Sequence, residues 1–378
     1  MTNPSPSSLK IHTLLPEKER YTRANAGAVA MVTEDMILAS RFDGHVFGRV
    51  ITHPPLTKPY TPLEPKHALF VGRNIGLAKR YLDHLDQTGE RPNWVEVHGR
   101  CQVASYLARK RPDLNVVLVL HNDPRDMKGA KTISERRHLA AMLKGVFAVS
   151  QYLLDCFDDG LAPNETAHLV KQVVPLGIDR RHQKPPKKKK QIVLTGRMVP
   201  EKGMLEAAKA LAQVLPRHPD WSVRFIGAKG FKASDRSPYE KAVAEALAPC
   251  GQQASMLGFL PRQDVERHHD DAAMAIVPSL WQEPAGRVVL EAMSSGCALI
   301  TTRRGGIVEY AENRALIIDE PSVGKFADAI DHLISTPQAL AKYQKMAWND
   351  YPFTRDHMGQ CLDQGRLSIA EALNQSPA

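Results

Sequence analysis

Short apolar runs recur along the chain, each followed by a turn cluster and then by apolar positions at helical spacing. The run Val116-Val117-Leu118-Val119-Leu120 is too short for a helix and apolar at successive positions. Strands of a parallel sheet covered on both faces read this way. The pattern predicts strands over 11–15, 44–51, 94–98, 115–121, 146–150 and 171–174, with helices over 28–39, 67–85, 102–111 and 134–144. The Pro-rich stretch 52–65 reads as a surface loop. The second half restarts with strands over 191–195, 221–226, 255–258, 274–279, 298–302 and 315–318. Its helices are expected over 204–215, 238–247, 264–269, from about Gly286 to Met293, over 323–334 and over 358–373. Strand and helix alternate throughout, which predicts an α/β chain of doubly wound parallel sheets. The expected division is a first domain over 1–180, a basic Pro/Lys linker over 181–190, a second domain over 191–352 and a terminal helical segment over 353–378. The linker carries Lys187-Lys188-Lys189-Lys190 and two prolines, which reads as a solvated, self-repelling connection and a plausible hinge.

The chemistry concentrates where strands end. Gln282-Glu283-Pro284-Ala285-Gly286-Arg287-Val288-Val289-Leu290-Glu291 lies between an apolar strand and a helix. Glu283 then sits at the carboxyl end of a strand, where open α/β sheets bind ligands. Amides of the first helical turn, near Gly286, Arg287 and Val288, are donors at a positive dipole end and suit a phosphate or sugar hydroxyls. A carboxylate such as Glu291 can accept from two vicinal hydroxyls, as on a ribose or a hexose. Pro284 and Ala285 shape the turn between them.

Gly196-Arg197-Met198-Val199-Pro200-Glu201-Lys202-Gly203 follows the first strand of the second half and opens a helix. Arg197 and Lys202 at one strand end can neutralise a diphosphate, the first in a fork and the second as a mobile point charge. The spacing is not that of a Walker A loop. His98 and His121 stand at the ends of two neighbouring strands, and Asp123 follows closely. Gly27, in Asn25-Ala26-Gly27-Ala28, is placed to begin a helix and offer an amide to phosphate.

Glu283 and Glu291, with their setting through Ser294-Ser295-Gly296, resemble the acidic pair of retaining glycosyltransferases of the GT-B fold, family 4 in particular. Gly196-Arg197 with Glu201-Lys202-Gly203 resembles the Gly-Arg…Glu-Lys-Gly motif of the same family. The resemblance implies two Rossmann-like domains facing across a cleft, with the last helix returning to the first domain. It implies that Glu283 contacts the donor hexose, Glu291 holds the nucleotide ribose, and Arg197 and Lys202 stabilise the leaving diphosphate. His121 would line the reaction centre; His98 and Asp123 would meet the acceptor. Gly305-Gly306…Glu309 is similar to a segment packed near the nucleotide base. Where many relatives carry paired glycines after the first strand, this chain offers Gly27 alone. The implied activity is metal-independent transfer of a hexose, with retention, from a UDP or GDP sugar to a saccharide or lipid-linked saccharide. The nucleotide sugar is a co-substrate, and neither a cofactor nor a metal is expected.

Composition narrows the partners. The chain has 378 residues and a formal net charge of +9. Such a charge suits phosphorylated substrates or an anionic membrane surface, and no nucleic-acid motif accompanies it. Five widely spaced cysteines form no CxxC pair, so no disulfide framework is indicated. No apolar run reaches the ~20 residues of a spanning helix. The expected place is the cytoplasm, with the inner face of the cytoplasmic membrane as an alternative, and the expected role is envelope polysaccharide or lipopolysaccharide core synthesis. The rival readings are a sugar-nucleotide epimerase of the same architecture and a non-catalytic basic binding protein.

Overall fold

All strand pairing within the two sheets is parallel. The computed structural model describes residues 9–230 and 236–375. The chain divides into two compact units, Met1–Gly177 with Arg355–Ala378, and Ile178–Thr354.

The first unit holds seven strands: β1 (Ile11–Leu14), β2 (Gly44–Arg49), β3 (Tyr60–Leu63), β4 (Trp94–His98), β5 (Val116–Leu120), β6 (Gly145–Ala148) and β7 (Val170–Val173). Their order is β3-β2-β1-β4-β5-β6-β7, so the direction of winding reverses between β1 and β4. Every residue of β1, β4, β5 and β6 is buried, as expected of strands covered on both faces.

Two of the departures from the sequence reading lie between residues 52 and 88. Stretch 52–65 contains β3, a four-residue edge strand. Its Pro62 is tolerated because an edge strand need not donate on its outer side. The helix expected over 67–85 is broken into Ala68–Val71 and Arg73–Thr88. Gly72 between them adopts φ 80, a left-handed conformation that ends one helix before the next begins.

The terminal helix Arg355–Gln375 packs on the helix Ala28–Ala39 and on β7. Glycines allow the close approach: a Cβ at Gly359 would lie 2.2 Å from Ala39 O, and one at Gly365 would lie 2.9 Å from Phe147. The helix is fastened by Arg366, wholly buried, whose guanidinium donates twice to Glu96 on β4 at 2.9 and 2.8 Å and once to Ser40 Oγ at 2.7 Å.

The second unit holds β8 (Lys189–Thr195), β9 (Ser222–Ile226), β10 (Ala254–Gly258), β11 (Ala272–Val277), β12 (Ala298–Thr302) and β13 (Leu316–Ile318), in the order β10-β9-β8-β11-β12-β13. Winding reverses between β8 and β11. One core layer joins Ile192, Leu194, Val223, Phe225, Met274 and Ile276 of the strands to the helices Met204–Val214 and Val323–Ser335.

The linker expected over 181–190 is corrected by the structure. Lys189 and Lys190 already belong to β8. Arg181 bonds to Asp270, and Lys188 Nζ donates to His269 O, Asp270 O and Ser295 O at 3.1, 3.1 and 2.6 Å. A lysine that finds three backbone carbonyls is a staple rather than a solvated charge, and burial lowers its pKa. The chain passes between units at Gly177/Ile178 and Thr354/Arg355. No helix among the described residues is long and apolar enough to cross a membrane.

Candidate functional site

In the second unit, the loops leaving β8 and β11 flank the reversal of strand order, the crevice position at which open sheets take ligands. The two loops touch through backbone. Gly203 has φ 67, and a Cβ there would lie 1.9 Å from Pro278 O. Only glycine fits both the conformation and the approach. Leu280 N donates to Glu201 O at 2.9 Å. This contact seats Lys202 against the β11 loop, with Nζ 2.5 Å from Glu283 Oε1 and 5.6 Å from the centre of the Trp281 ring.

Glu283 is 8% exposed and held on several sides. Ser279 Oγ donates to the same Oε1 at 2.6 Å. Gly306 N donates to Glu283 O at 2.7 Å, and Gly305 N donates to Gln282 Oε1 at 2.5 Å. Gly305 has φ 52, and a Cβ there would lie 2.3 Å from Glu283 O. The Gly305-Gly306 segment is therefore the backbone support of Glu283.

Gln282 was not legible as a site residue, because its bond to Gly305 N joins two separate loops; Ser279 stands only four residues before Glu283, and its hydroxyl was the available signal. Pro284 and Ala285 are half-buried and lead to Gly286. Gly286 starts the helix Arg287–Ser294 with no side-chain cap. Val288 is half-buried on its first turn. Four residues on from Arg287, Glu291 receives that guanidinium at 3.4 Å. Burial pushes the Glu291 carboxyl up, and Arg287 first among its neighbours opposes the shift. Arg197 and Gly196 follow β8 as expected; Arg197 is exposed. Trp281 Nε1 is buried without a hydrogen-bond partner in this same loop.

In the first unit, His98 at the end of β4 and His121 just after β5 meet directly. His98 Nδ1 lies 3.0 Å from His121 Nε2 and 3.1 Å from Thr33 Oγ1. Thr33 gives its own proton to Val29 O at 2.8 Å. Its oxygen is then left to accept, which assigns the proton of the network to His98 Nδ1 and the acceptor role to His121 Nε2.

Burial first, then the charge of Arg366, lowers the His98 pKa to about 3. Burial, then His98 and Arg100, lowers His121 strongly. Both rings are neutral at neutral pH. The unfolded imidazoles take protons near their ordinary value of about 6.5 while the folded ones refuse them. The resulting stability is full above that pH and is lost as pH falls from about 6.5 toward 3. Melting temperature is expected to drop over this range in low salt, and His98→Asn to flatten part of the slope. A flat profile would contradict this reading.

The structure gives two expected site residues other work. Gly27 precedes the helix Ala28–Ala39, but the amide of Ala30 already donates to the Glu19 carboxylate at 3.1 Å. A Cβ at Gly27 would lie 2.4 Å from the same carboxylate. An anion of the protein itself thus holds the position assigned to a phosphate. Burial raises the Glu19 pKa, while the Ala30 amide and Arg100 act against it. Asp123 caps the 3-10 turn Pro124–Asp126 and accepts from the Arg125 guanidinium at 2.8 Å. Burial opposes ionisation, yet the Arg125 bonds hold its pKa below the usual range. Asp123 is committed to local structure.

Residues 177–350 match the family model described as "Glycosyl transferases group 1". Spore coat protein SA of Bacillus subtilis is 30% identical over 163 residues, 42% of this chain and 43% of that protein. The chain thus spans less than half the length of that relative. A putative glycosyltransferase of the same organism, YtcC, is 24% identical over 97% of this chain and 94% of its own length. The lipopolysaccharide 1,2-N-acetylglucosaminetransferase of Salmonella typhimurium is 27% identical over 32% of each chain. Among solved structures, Anabaena HepE in complex with UDP superposes with a TM-score of 0.72 at 19% identity, covering 97% of this chain and all of that one. HepE with UDP-glucose gives 0.71 at 17% identity, with 97% and 100% coverage. The fold is that of the GT-B glycosyltransferases.

Proposed function

We propose that this chain is a retaining glycosyltransferase of family 4 that moves a hexose from a nucleotide diphosphate sugar to a hydroxyl of a saccharide or lipid-linked saccharide. The observation that carries the reading is the meeting of Lys202 and Glu283 at the strand reversal of the second unit, beside an uncapped helix start. A cation, a carboxylate and a helix N-terminus in one place suit a phosphorylated sugar. Lys202 and Arg197 would stabilise charge on the departing diphosphate, the kind of electrostatic help that commonly contributes most. Glu283, fixed by Ser279, would hold the hexose hydroxyls, and Glu291 the ribose. His121 would support the acceptor chemistry as a neutral ring, with His98 positioning it.

In the step, the bond from the anomeric carbon to the diphosphate oxygen breaks. The acceptor oxygen bonds to the same face, and its proton passes to the departing phosphate oxygen. No metal is required for this chemistry. UDP is favoured over GDP because the HepE structures hold UDP and UDP-glucose. The lipopolysaccharide relative supports envelope polysaccharide or lipopolysaccharide core assembly as the setting. The cytoplasm is the corresponding place, and a basic chain is compatible with contact to an anionic membrane.

The test is a thermal shift with UDP, GDP and their sugars, followed by transfer assays and anomeric analysis of the product. A ligand that binds only the folded state raises the melting temperature. One nucleotide is expected to raise it by several degrees, and Glu291→Ala to weaken its binding about tenfold or more. Product of inverted configuration would overturn the retaining mechanism, and absence of any nucleotide shift would favour a non-catalytic binding protein.

A further inference from the structure

At the opposite end of the first unit's sheet, the strand register places two histidines side by side. His12 on β1 pairs with His45 on β2. One nitrogen of each ring and one carboxylate oxygen of Glu90 lie within 4.8 Å of one another. Glu90 is brought there by the helix Arg73–Thr88, which stops at Gly89 in a left-handed conformation. His84, on the last turns of that helix, faces the same carboxylate.

Three features distinguish this group from a chance cluster. Each ring on the strands is anchored through one nitrogen by a hydroxyl: His12 Nδ1 lies 2.9 Å from Tyr81 Oη, and His45 Nε2 lies 2.8 Å from Thr61 Oγ1. Such outer partners orient imidazoles that ligate metals. Next, Glu90 Oε2 and His84 Nε2 are both buried and make no hydrogen bond, although they lie only 3.4 Å apart. Buried polar atoms left without partners are uncommon and call for an explanation. Finally, His12 Nε2 is 3.6 Å from Glu90 Oε2. Donors about 2.0–2.2 Å from a tetrahedral ion stand roughly 3.3–3.6 Å from each other, so the His12–Glu90 spacing is that of two ligands of one small cation.

We propose that His12, His45 and Glu90 bind one divalent transition-metal ion, with zinc the best match to two imidazoles and a carboxylate. His84 is placed to hold Glu90 or to complete the coordination. The ion would tie β1, β2 and the end of the helix Arg73–Thr88 together at the end of the strands opposite to His98 and His121. It takes no part in the transfer reaction proposed above, so the two readings stand or fall separately.

The test uses the full chain without an affinity tag, stripped with chelator and dialysed. Zinc chloride alone is titrated while metal content, melting temperature and calorimetric heat are followed. Cobalt(II) serves as the visible-absorbance probe of coordination. One equivalent of zinc is expected to be retained and to raise the melting temperature by several degrees. Glu90→Gln, at a partly exposed position, is expected to weaken binding at least tenfold, and His45→Gln likewise. Both variants are checked for folding by circular dichroism and by their melting temperatures in the absence of metal. Failure of the parent protein to retain zinc, or undiminished binding in both folded variants, would overturn the proposal.

Discussion

Lys202→Ala is expected to lower kcat by about 10²–10³, the range seen when one preorganised stabilising group is removed from a developing oxyanion. Lys202 reaches the site from a 3-10 turn that Gly203 presses against Pro278. Its ammonium lies 2.5 Å from Glu283, so without ligand its charge is compensated inside the protein. A diphosphate would compete for that cation and would free Glu283 to accept sugar hydroxyls, coupling the two halves of donor recognition. Part of any loss in the alanine variant comes from leaving Glu283, 8% exposed, with Ser279 as its remaining side-chain partner. Lys202→Arg separates these effects. It keeps the charge and compensates Glu283, but carries a rigid planar fork in place of a mobile point charge. The expected order of kcat is wild type, then arginine, then alanine, with melting temperatures of wild type and arginine close together. The measurement is nucleoside diphosphate release at saturating donor and acceptor. If the alanine variant retains kcat within threefold, Lys202 is only a structural counterion of Glu283.

The parts of this architecture that repeat along the chain were the legible ones. Apolar runs gave both parallel sheets, since burial on two faces writes itself as consecutive apolar residues. Lys202 and Glu283 stood out because cations and acids at strand ends fall in the ligand-binding layer of any such sheet.

What escaped depended on contacts between residues far apart in sequence. Glu19 sits eight residues before Gly27, and nothing in its own neighbourhood announces that it caps the next helix. The four-lysine run read as a solvated linker because each lysine was judged by its neighbours in sequence; the carbonyls that hold Lys188 lie some 80 to 107 residues away. The short helix Ile307–Ala311 was missed for want of length, although the glycines before it were noticed. Helices Gln151–Asp158 and Pro337–Asn349 were missed as well. The first carries a Ser150 cap and the second a proline at its start, both signals available to a reading of capping residues.

The least legible feature carries the largest expected effect on stability. Arg366 looks in the sequence like an exposed helical charge, yet it is buried with Glu96, both side chains at most 2% exposed. Glu96 also accepts from Trp94 Nε1 at 3.2 Å, and Arg366 reaches Ser40, which Asp363 holds at 2.5 Å. The terminal helix is thus fixed to β4 by a network with no solvent to replace a missing partner. Removing one member of a buried pair strands the other, at a cost of about 3–5 kcal/mol. Arg366→Met is therefore expected to lower the melting temperature of the first unit by roughly 6–20 °C, taking about 2–4 °C per kcal/mol at this size. Combining it with Glu96→Gln is expected to recover most of the loss, because the amide oxygen keeps an acceptor for Trp94 without a buried charge.

A second consequence separates this pair from mere packing. The Arg366 charge is among the causes that lower His98. In Arg366→Met the folded ring accepts a proton more readily, so the acid loss of stability still begins near the ordinary imidazole range but ends at a higher pH and is smaller in total than in the parent. Calorimetric scans from pH 7 to 4 on the three proteins measure both effects. A single variant as stable as the parent, with an unchanged acid limb, would show that the pair contributes no net stabilisation.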